Sequence, residues 1–420
     1  MGRTFSAVPY TYLKRGVYYF VSLMILTSLN AHSANWNKKK QADEPKESIQ
    51  SSIGDTRTHS RGAMRNMKVT TYAPSFTPER DDSLRLWNPS PDRTSCLRAI
   101  STTTKISGFD KSAAGYRWPN LENNAAAFNT ENLKLLNVIT WHGQEPPKTE
   151  RQEQLLKSSV DVLRSRLLNA AKEKAFTKVK WDNRGASPAF SVAVTVKATS
   201  FAVAGLKSIN ALTADDLSTI DSWVLSMIKQ MAKTKCSSGC DLSADSVVAV
   251  YAANILYGAA SQNRTLFELG AQEFKEYLQE RKNLKLGEGV RNSNEVMHHA
   301  LIAAAVLELN GIPARKFPVG NKTLSDAVEF HAQQVFEAGD KPLKTAGDSK
   351  AEARSILNKE GFGTHIAWVP IYLSHYKAGS EPEIIKKLDK KLRDSEGMYQ
   401  KAYFGLQVGI HSGCYFGMPK

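Results

Sequence analysis

Four hundred and twenty residues suffice for two or three ordinary domains, or for one large domain with terminal extensions. With 41% hydrophobic and 23% charged residues, the composition excludes collagen-like, wholly disordered and multi-span membrane architectures. The charge is less ordinary: 56 Lys and Arg against 41 Asp and Glu leave +15, which points to a polyanionic partner, whether nucleic acid, acidic lipid or acidic polysaccharide.

At the N-terminus, Lys14 and Arg15 precede an uncharged, mostly apolar run from Val17 to Leu29, followed by the small residues of Ala31-His32-Ser33-Ala34. This is the layout of a secretory signal over residues 1–33. A membrane anchor is the alternative, but the apolar run falls short of the ~20 residues a span requires. The expectation is export to the periplasm or medium, with no stable membrane insertion after cleavage. Cleavage takes Arg3, Lys14 and Arg15 from the 56 bases and nothing from the 41 acids, so the net charge falls from +15 to +12. Residues 34–67 are polar and aperiodic and read as a disordered tether. Residues 68–138 mix isolated aromatics with Pro, Gly and Asn and read as a loop-rich region of irregular segments and short helices lying over a larger body, a potential lid. The body itself is expected over 139–420.

Four cysteines suit an oxidising compartment and allow three pairings. Cys236 and Cys240 enclose only three residues and are expected to pair locally, leaving Cys96 with Cys414. The second bridge would tie the two ends of the large domain, an effect of ~4–5 kcal/mol in the loop-entropy model. Zinc is the alternative for a Cys-x3-Cys pair, but no nearby His or second Cys pair completes four ligands.

Beyond Pro147 the pattern is repeatedly helical. Residues 149–175 place Leu155, Leu156, Val160, Leu163, Leu167 and Leu168 at helical spacing, and the pattern continues over 193–208, 213–233, 243–260, 263–281, 293–310 and 322–337. Caps are expected in TADDL at 213–217 and SADS at 243–246, and a stop in NGIP at 310–313. The runs YAANILYGAA and ALIAAAVLEL are apolar on almost every face, so they belong inside. Charged helices such as 149–175 and 264–282 belong outside them. The fold class expected is all-α: an incomplete (α/α) toroid of helical hairpins.

Phosphate loops, dinucleotide fingerprints, HExxH and nucleophile elbows are all missing from the sequence, so no cofactor or metal is called for. The chemistry-bearing segment is GEGVRNSNEVMHHALIAAAVLELNG, residues 287–311. It brings Arg291 and paired His298 and His299 to the entrance of a buried helix. Consecutive helical residues differ by about 100°, so the two imidazoles face different ways and one is expected to pack. Trp141 and His142 in VITWHG, with Trp141 a candidate for stacking on a sugar, Lys105, Lys111 and Arg117 in the loop-rich region, and His365 in GFGTHIAWVP are further candidates for contact with an acidic ligand. His331 reads as packing or surface.

From about Ala204 to Tyr376 the chain resembles the helical-toroid alginate lyases, polysaccharide lyases that cleave polymannuronate by β-elimination. The resemblance runs through DLSADSVVAVYAANILYGAASQNRTLFELGAQEFKEYL, VRNSNEVMHHALIAAAVLELNG and THIAWVPIYLSHY. It sets Arg291 on the first Arg of the family's Arg-Gly-x-Arg-Ala-Leu-x-Tyr-His segment, His298 on its catalytic Tyr and His299 on the following His. Two positions depart. The family's second Arg is Asn294 here, and where the family has Asn-Asn-His this chain reads Asp241-Leu242-Ser243-Ala244-Asp245. The activity implied is lyase cleavage of an acidic polyuronate, with a silent polysaccharide-binding protein of the same fold as the alternative. A nucleic-acid partner is disfavoured by export and by the lack of a compact basic stripe.

A uronate lyase removes a C5 proton beside a carboxylate, so that carboxylate must be neutralised. Arg291 suits this, since a guanidinium stays charged and grips a carboxylate through two parallel bonds. Asn292 and Asn294 are candidate donors to the developing enediolate. His298 is the candidate base, because an imidazole is partly neutral at ambient pH. Tyr251 or Tyr257, on the neighbouring inner helix, is the candidate acid for the departing O4, with Tyr257 also expected near the substrate.

Overall fold

The computed structural model describes residues 121–144, 147–177, 188–233, 244–338, 366–376 and 380–394. Over these residues the chain forms α1 (Leu121–Gln144), α2 (Glu150–Lys172), α3 (Pro188–Ser208), α4 (Ala214–Lys233), α5 (Ala244–Ser261), α6 (Arg264–Gln279), α7 (Gly289–Leu309), α8 (Leu324–Ala338), α9 (Trp368–Leu373) and α10 (Glu383–Asp394). The strand content among them is a two-residue antiparallel pair, β1 (Pro318–Val319) with β2 (Lys322–Thr323), between a 3₁₀ turn at Ala314–Lys316 and α8. The seven helices expected from 149 to 337 correspond one for one to α2 through α8.

Burial pattern sorts the helices into two layers. On α6 the buried residues Leu266, Phe267, Gly270, Ala271, Phe274, Tyr277 and Leu278 form a single stripe, as expected of a helix with one face in water. On α5 burial extends around almost the whole circumference. α3 is long and apolar enough to cross a membrane, but it is enclosed by protein and serves as a core helix. The inner helices form a row: α1 packs on α3, α3 on α5, α5 on α7 and α7 on α9. Outside them α2 covers α1, α4 covers α3 and α6 covers α5, while α8 and α10 pack together at the far end. The result is an incomplete (α/α) toroid.

Local chemistry sets the helix ends. At α4, Thr213 N–H donates to Asp216 Oδ2 (2.9 Å) and Asp216 N–H donates to Thr213 Oγ1 (3.2 Å), a reciprocal capping box. Thr323 and Asp326 repeat it before α8. The expected stop after α7 is present: Gly311 adopts φ +77° and Ile312 N–H returns to the Leu307 carbonyl (3.0 Å).

Close approach between layers depends on glycine. A Cβ on Gly258 of α5 would lie 2.5 Å from Phe267 N at the start of α6, and a Cβ on Gly270 of α6 would lie 2.8 Å from Asn254 Cβ of α5. Polar ties add register. Buried Arg166 of α2 donates to Asn132 Oδ1 (2.8 Å), pairs with Glu131 (2.7 Å) and lies 5.2 Å over the Phe128 ring, all on α1. Arg164 of α2 holds Asp216 of α4.

One boundary differs from expectation. Residues 121–138 were expected to belong to the loop-rich region, yet they form most of α1, the first inner helix, so the toroid starts before residue 139. The reason lies in the asparagines of NNAAAFNTENLKLLNV. Asparagine favours turns because its amide competes with the backbone. Here one end of each amide has a tertiary partner: Asn129 Nδ2 donates to Thr195 Oγ1 of α3 (3.2 Å) and Asn132 Oδ1 accepts from Arg166. The signal segment, the tether, the rest of the loop-rich region with Lys105, Lys111 and Arg117, His365, and all four cysteines lie outside the described residues.

Gly258→Ala should lower stability by about 1–3 kcal/mol, because crowding against the Phe267 backbone outweighs the ~1 kcal/mol gain in helix propensity. Thermal unfolding reads this, and an unchanged or raised Tm would show that α5 and α6 do not meet at that position.

Candidate active site

The entrance to α7 is built from a tight turn. Gly289 has φ +75°, and a Cβ on Gly287 would lie 2.7 Å from Ser293 N, so the turn folds directly onto the first helical residues. Ser293 Oγ donates to the Gly287 carbonyl and accepts from its N–H, both at 3.1 Å. Asn292 Oδ1 accepts from Glu288 N–H (3.2 Å) and its Nδ2 donates to Asp245 Oδ1 at the head of α5 (3.0 Å). Asn292 is thus engaged in joining two inner helix ends rather than in offering its amide to a ligand. Arg291 occupies the first turn of α7, where the helix dipole is positive.

Deeper in α7 the polar residues converge. Trp368 Nε1–H of α9 donates to Asn294 Oδ1 (2.8 Å), and His331 Nε2–H of α8 donates to the same oxygen (3.2 Å). Two N–H donors on one atom identify it as the amide oxygen and direct the NH2 end of Asn294 away from α8 and α9. The His331 and Trp368 rings lie 5.8 Å apart. Burial pushes the His331 imidazole down to about 3, so it stays neutral, and its Nδ1 is buried without a hydrogen-bond partner.

His298 and His299 diverge as their positions require. His298, 1% exposed, donates Nδ1–H to the Asn294 carbonyl one turn earlier (2.9 Å), which makes Nε2 its basic nitrogen. His299 turns toward α3, where its Nδ1 lies 2.6 Å from Lys197 Nζ and Phe190 packs edge-on at 5.5 Å. Lys197 and His299 are both 0% exposed. Burial pulls the Lys197 ammonium down to about 7, within reach of an imidazole's own range.

The tyrosines take other positions. Tyr257 is 0% exposed and donates its hydroxyl to Asp221 of α4. Tyr251 is half-buried at the α5–α6 seam, its ring 6.2 Å from Tyr277, and burial together with Glu273, Glu280 and Glu276 of α6 raises its phenol well above the ordinary value. The structure thus corrects the expectation that these phenols adjoin the α7 histidines: both have outer-layer partners. Trp141 and His142 fall in the last turn of α1 rather than in a loop, and His142 is buried.

Of the residues expected at the site, His298 bonds the Asn294 carbonyl and the Asn294 amide joins His331 and Trp368, whereas His299 turns away to Lys197 on α3. The signal for Lys197 was present: it is a single charge inside the apolar run FSVAVTVKATSFAVAG. A charge in such a helix must be paired with another buried polar group. Among the described residues no group of three or more His, Cys, Asp or Glu side chains could hold a metal ion. The cluster comprises a lone-pair imidazole, a lysine–imidazole pair and an oriented amide, which are the elements of proton transfer beside an anion.

No protein-family model matches the chain, and no curated protein matches it. Solved structures do. A histidine-to-alanine variant of alginate lyase A1-III complexed with a tetrasaccharide is 12% identical, with a TM-score of 0.53, covering 86% of this chain and 100% of the lyase. A tyrosine-to-phenylalanine variant of the same lyase, also with a tetrasaccharide, is 11% identical with a TM-score of 0.51, covering 84% and 98%. Alginate lyase A1-III from Sphingomonas species A1 is 9% identical with a TM-score of 0.52, covering 86% and 100%. The chain therefore has an alginate lyase-like fold over nearly the whole of that enzyme.

Protonation of His331 is suppressed in the fold and unhindered in the unfolded chain, so the unfolded state binds more protons between pH 6.5 and about 3, and stability falls as the pH drops through that window. His331→Gln retains an N–H donor for Asn294. Between pH 6.5 and 4.5 it should lose about 2–3 kcal/mol less stability than the parent protein, read by denaturant unfolding at both pH values. Equal losses would show that His331 is not buried in neutral form.

Proposed function

We propose that the protein is an exported polysaccharide lyase that cleaves an acidic polyuronate, alginate or a related uronan, by β-elimination. The observation that carries this reading is the buried polar set of Asn294, His298, His331 and Trp368 around one inner helix of a toroid that follows alginate lyase A1-III along its full length. Two of the similar structures hold a tetrasaccharide. The +15 charge suits a polymer with a carboxylate on every sugar.

In this mechanism Arg291, assisted by the N-terminus of α7, neutralises the C5 carboxylate so that the C5 proton becomes acidic. Asn294 donates its amide to the enediolate; Trp368 and His331 hold that amide in orientation. His298 accepts the C5 proton at Nε2, the nitrogen left basic by the bond from Nδ1 to the α7 backbone. The electron pair of the broken C5–H bond forms the C4–C5 double bond as the C4–O4 bond breaks. Export to the periplasm or medium belongs to the same proposal and rests on the N-terminal charge and apolar pattern. A silent polysaccharide-binding protein is the second reading, favoured by the absence of Asn-Asn-His before α5.

Incubation of the purified protein with polymannuronate, polyguluronate and polyglucuronate should produce ultraviolet absorbance from the new double bond. Arg291→Ala should reduce kcat/KM by about 10²–10³-fold, the scale of a lost charge-stabilising donor. Binding of uronans with no absorbance from any of them would favour the silent reading. Near-normal turnover in the Arg291 variant would remove that residue from the mechanism.

A further inference from the structure

α10 has the sequence EIIKKLDKKLRD, in which one Lys-Lys pair follows another by a single helical turn. At about 100° per residue, Lys386, Lys387, Lys390 and Lys391 fall on one arc of the helix, and Ile385, Leu388 and Asp389 on the opposite one. The structure seats the second arc on the protein: Ile385 and Leu388 are 0% exposed and Asp389 4%, where α10 packs on α8 and α9. Lys387 and Lys390 are exposed, with Lys386 and Lys391 half-exposed beside them. We propose that this outward face of α10 is a second binding surface for the acidic polysaccharide, holding a stretch of the polymer by its carboxylates away from α7. The identity of the polymer rests on the lyase reading; the surface does not require that the polymer be cleaved.

Charge on this helix is sorted by side. Asp389, the acid between the two lysine pairs, is turned inward, so the middle of the outward face presents bases. Glu383 stands at the N-terminal edge of that face, 3.6 Å from Lys386. The arrangement is not general to the outer helices. α2 is also rich in bases, but its Arg166 is buried against Glu131 and its Arg164 is held by Asp216. On α10, Lys386 to Lys390 and Lys387 to Lys391 each advance ~6 Å along the axis, so the face offers short parallel rows of charge to a chain with a carboxylate on every sugar.

Other polyanions fit less well. A basic amphipathic helix that binds a membrane must lay its apolar side in the lipid. Here that side is buried in the protein. Nucleic-acid surfaces add aromatic side chains for base stacking or arginine forks for guanine. Among the described side chains of α10 there is neither.

Lysine acetylation footprinting of the full chain reads the surface without any variant. At low ionic strength polymannuronate should protect Lys387 and Lys390 about threefold or more, and about 0.5 M salt should remove the protection. Methyl-esterified polymannuronate, which has lost its charge, should not protect. Absence of protection, or equal protection by the ester, would overturn the proposal, and stronger protection by DNA would replace the polysaccharide with nucleic acid. Lys386→Gln, Lys387→Gln, Lys390→Gln and Lys391→Gln together should weaken polymer binding about 10-fold or more, at about two- to threefold per exposed pair. Turnover of a tetrasaccharide should stay within about twofold of the parent, while KM for the polymer rises. Unchanged polymer affinity in a variant that unfolds at the parent's Tm would also overturn it. Footprinting reads binding and not cleavage, so protection at α10 without unsaturated product would remove the lyase reading and leave this surface standing.

Discussion

Helices α3 and α5 have almost no polar face, and a helix of that kind cannot stand at a surface. Each must be enclosed on every side, which a single helical layer cannot do. The two-layer toroid meets this requirement: inner helices flank one another, and amphipathic outer helices such as α2 and α6 cover their remaining sides. The glycines at the α5–α6 contact follow from the same demand, since a helix buried all round is enclosed only when its neighbours approach within backbone distance.

The same constraint governs the polar residues that the inner helices do carry. A lysine or histidine inside such a layer has no water to turn to, so it survives only by meeting another polar side chain or a carbonyl. Lys197 meets His299, His298 meets the Asn294 carbonyl, and Asn294 meets Trp368 and His331. Breaking one such contact leaves a buried group unsatisfied, which is costlier than losing a surface pair. These groups form a polar locus around α7, separate from the one that Arg166 and Asn132 form between α2 and α1.

Much of this was legible in the sequence, and the parts that were not have physical causes. The spans of α2 to α8 follow from apolar spacing, capping residues and the glycine stop, all local signals. α1 was obscured because Asn129 and Asn132 read as turn formers until Thr195 and Arg166, distant in sequence, each bond one end of their amides. The directions of Tyr251 and Tyr257 were unreadable for a different reason. Periodicity orients a helix by contrasting a wet side with a dry one, and α5 offers no contrast, so nothing local says which flank faces α4, α6 or the α7 cluster. Lys197 was legible as an anomaly in an apolar run, but its partner lies 102 residues away, and that distance hides the pairing.

The positions of the tyrosines show how burial sets the charge state of groups in a toroid of this kind. Tyr251 lies beside Glu273, which burial itself pushes up to about 7, with Glu276 and Glu280 close by. Desolvation and three carboxylates all oppose phenolate formation, so this phenol holds its proton more tightly than an ordinary tyrosine and is poorly matched to an alkoxide leaving group at neutral pH. Burial acts in the opposite sense on Lys197, because there the protonated form is the charged one. Removal from water thus raises the tyrosine and lowers the lysine, because the charged form is the deprotonated one in the first and the protonated one in the second. The different settings of the two α7 histidines follow from what each meets, a backbone carbonyl for His298 and one lysine of an otherwise apolar helix for His299.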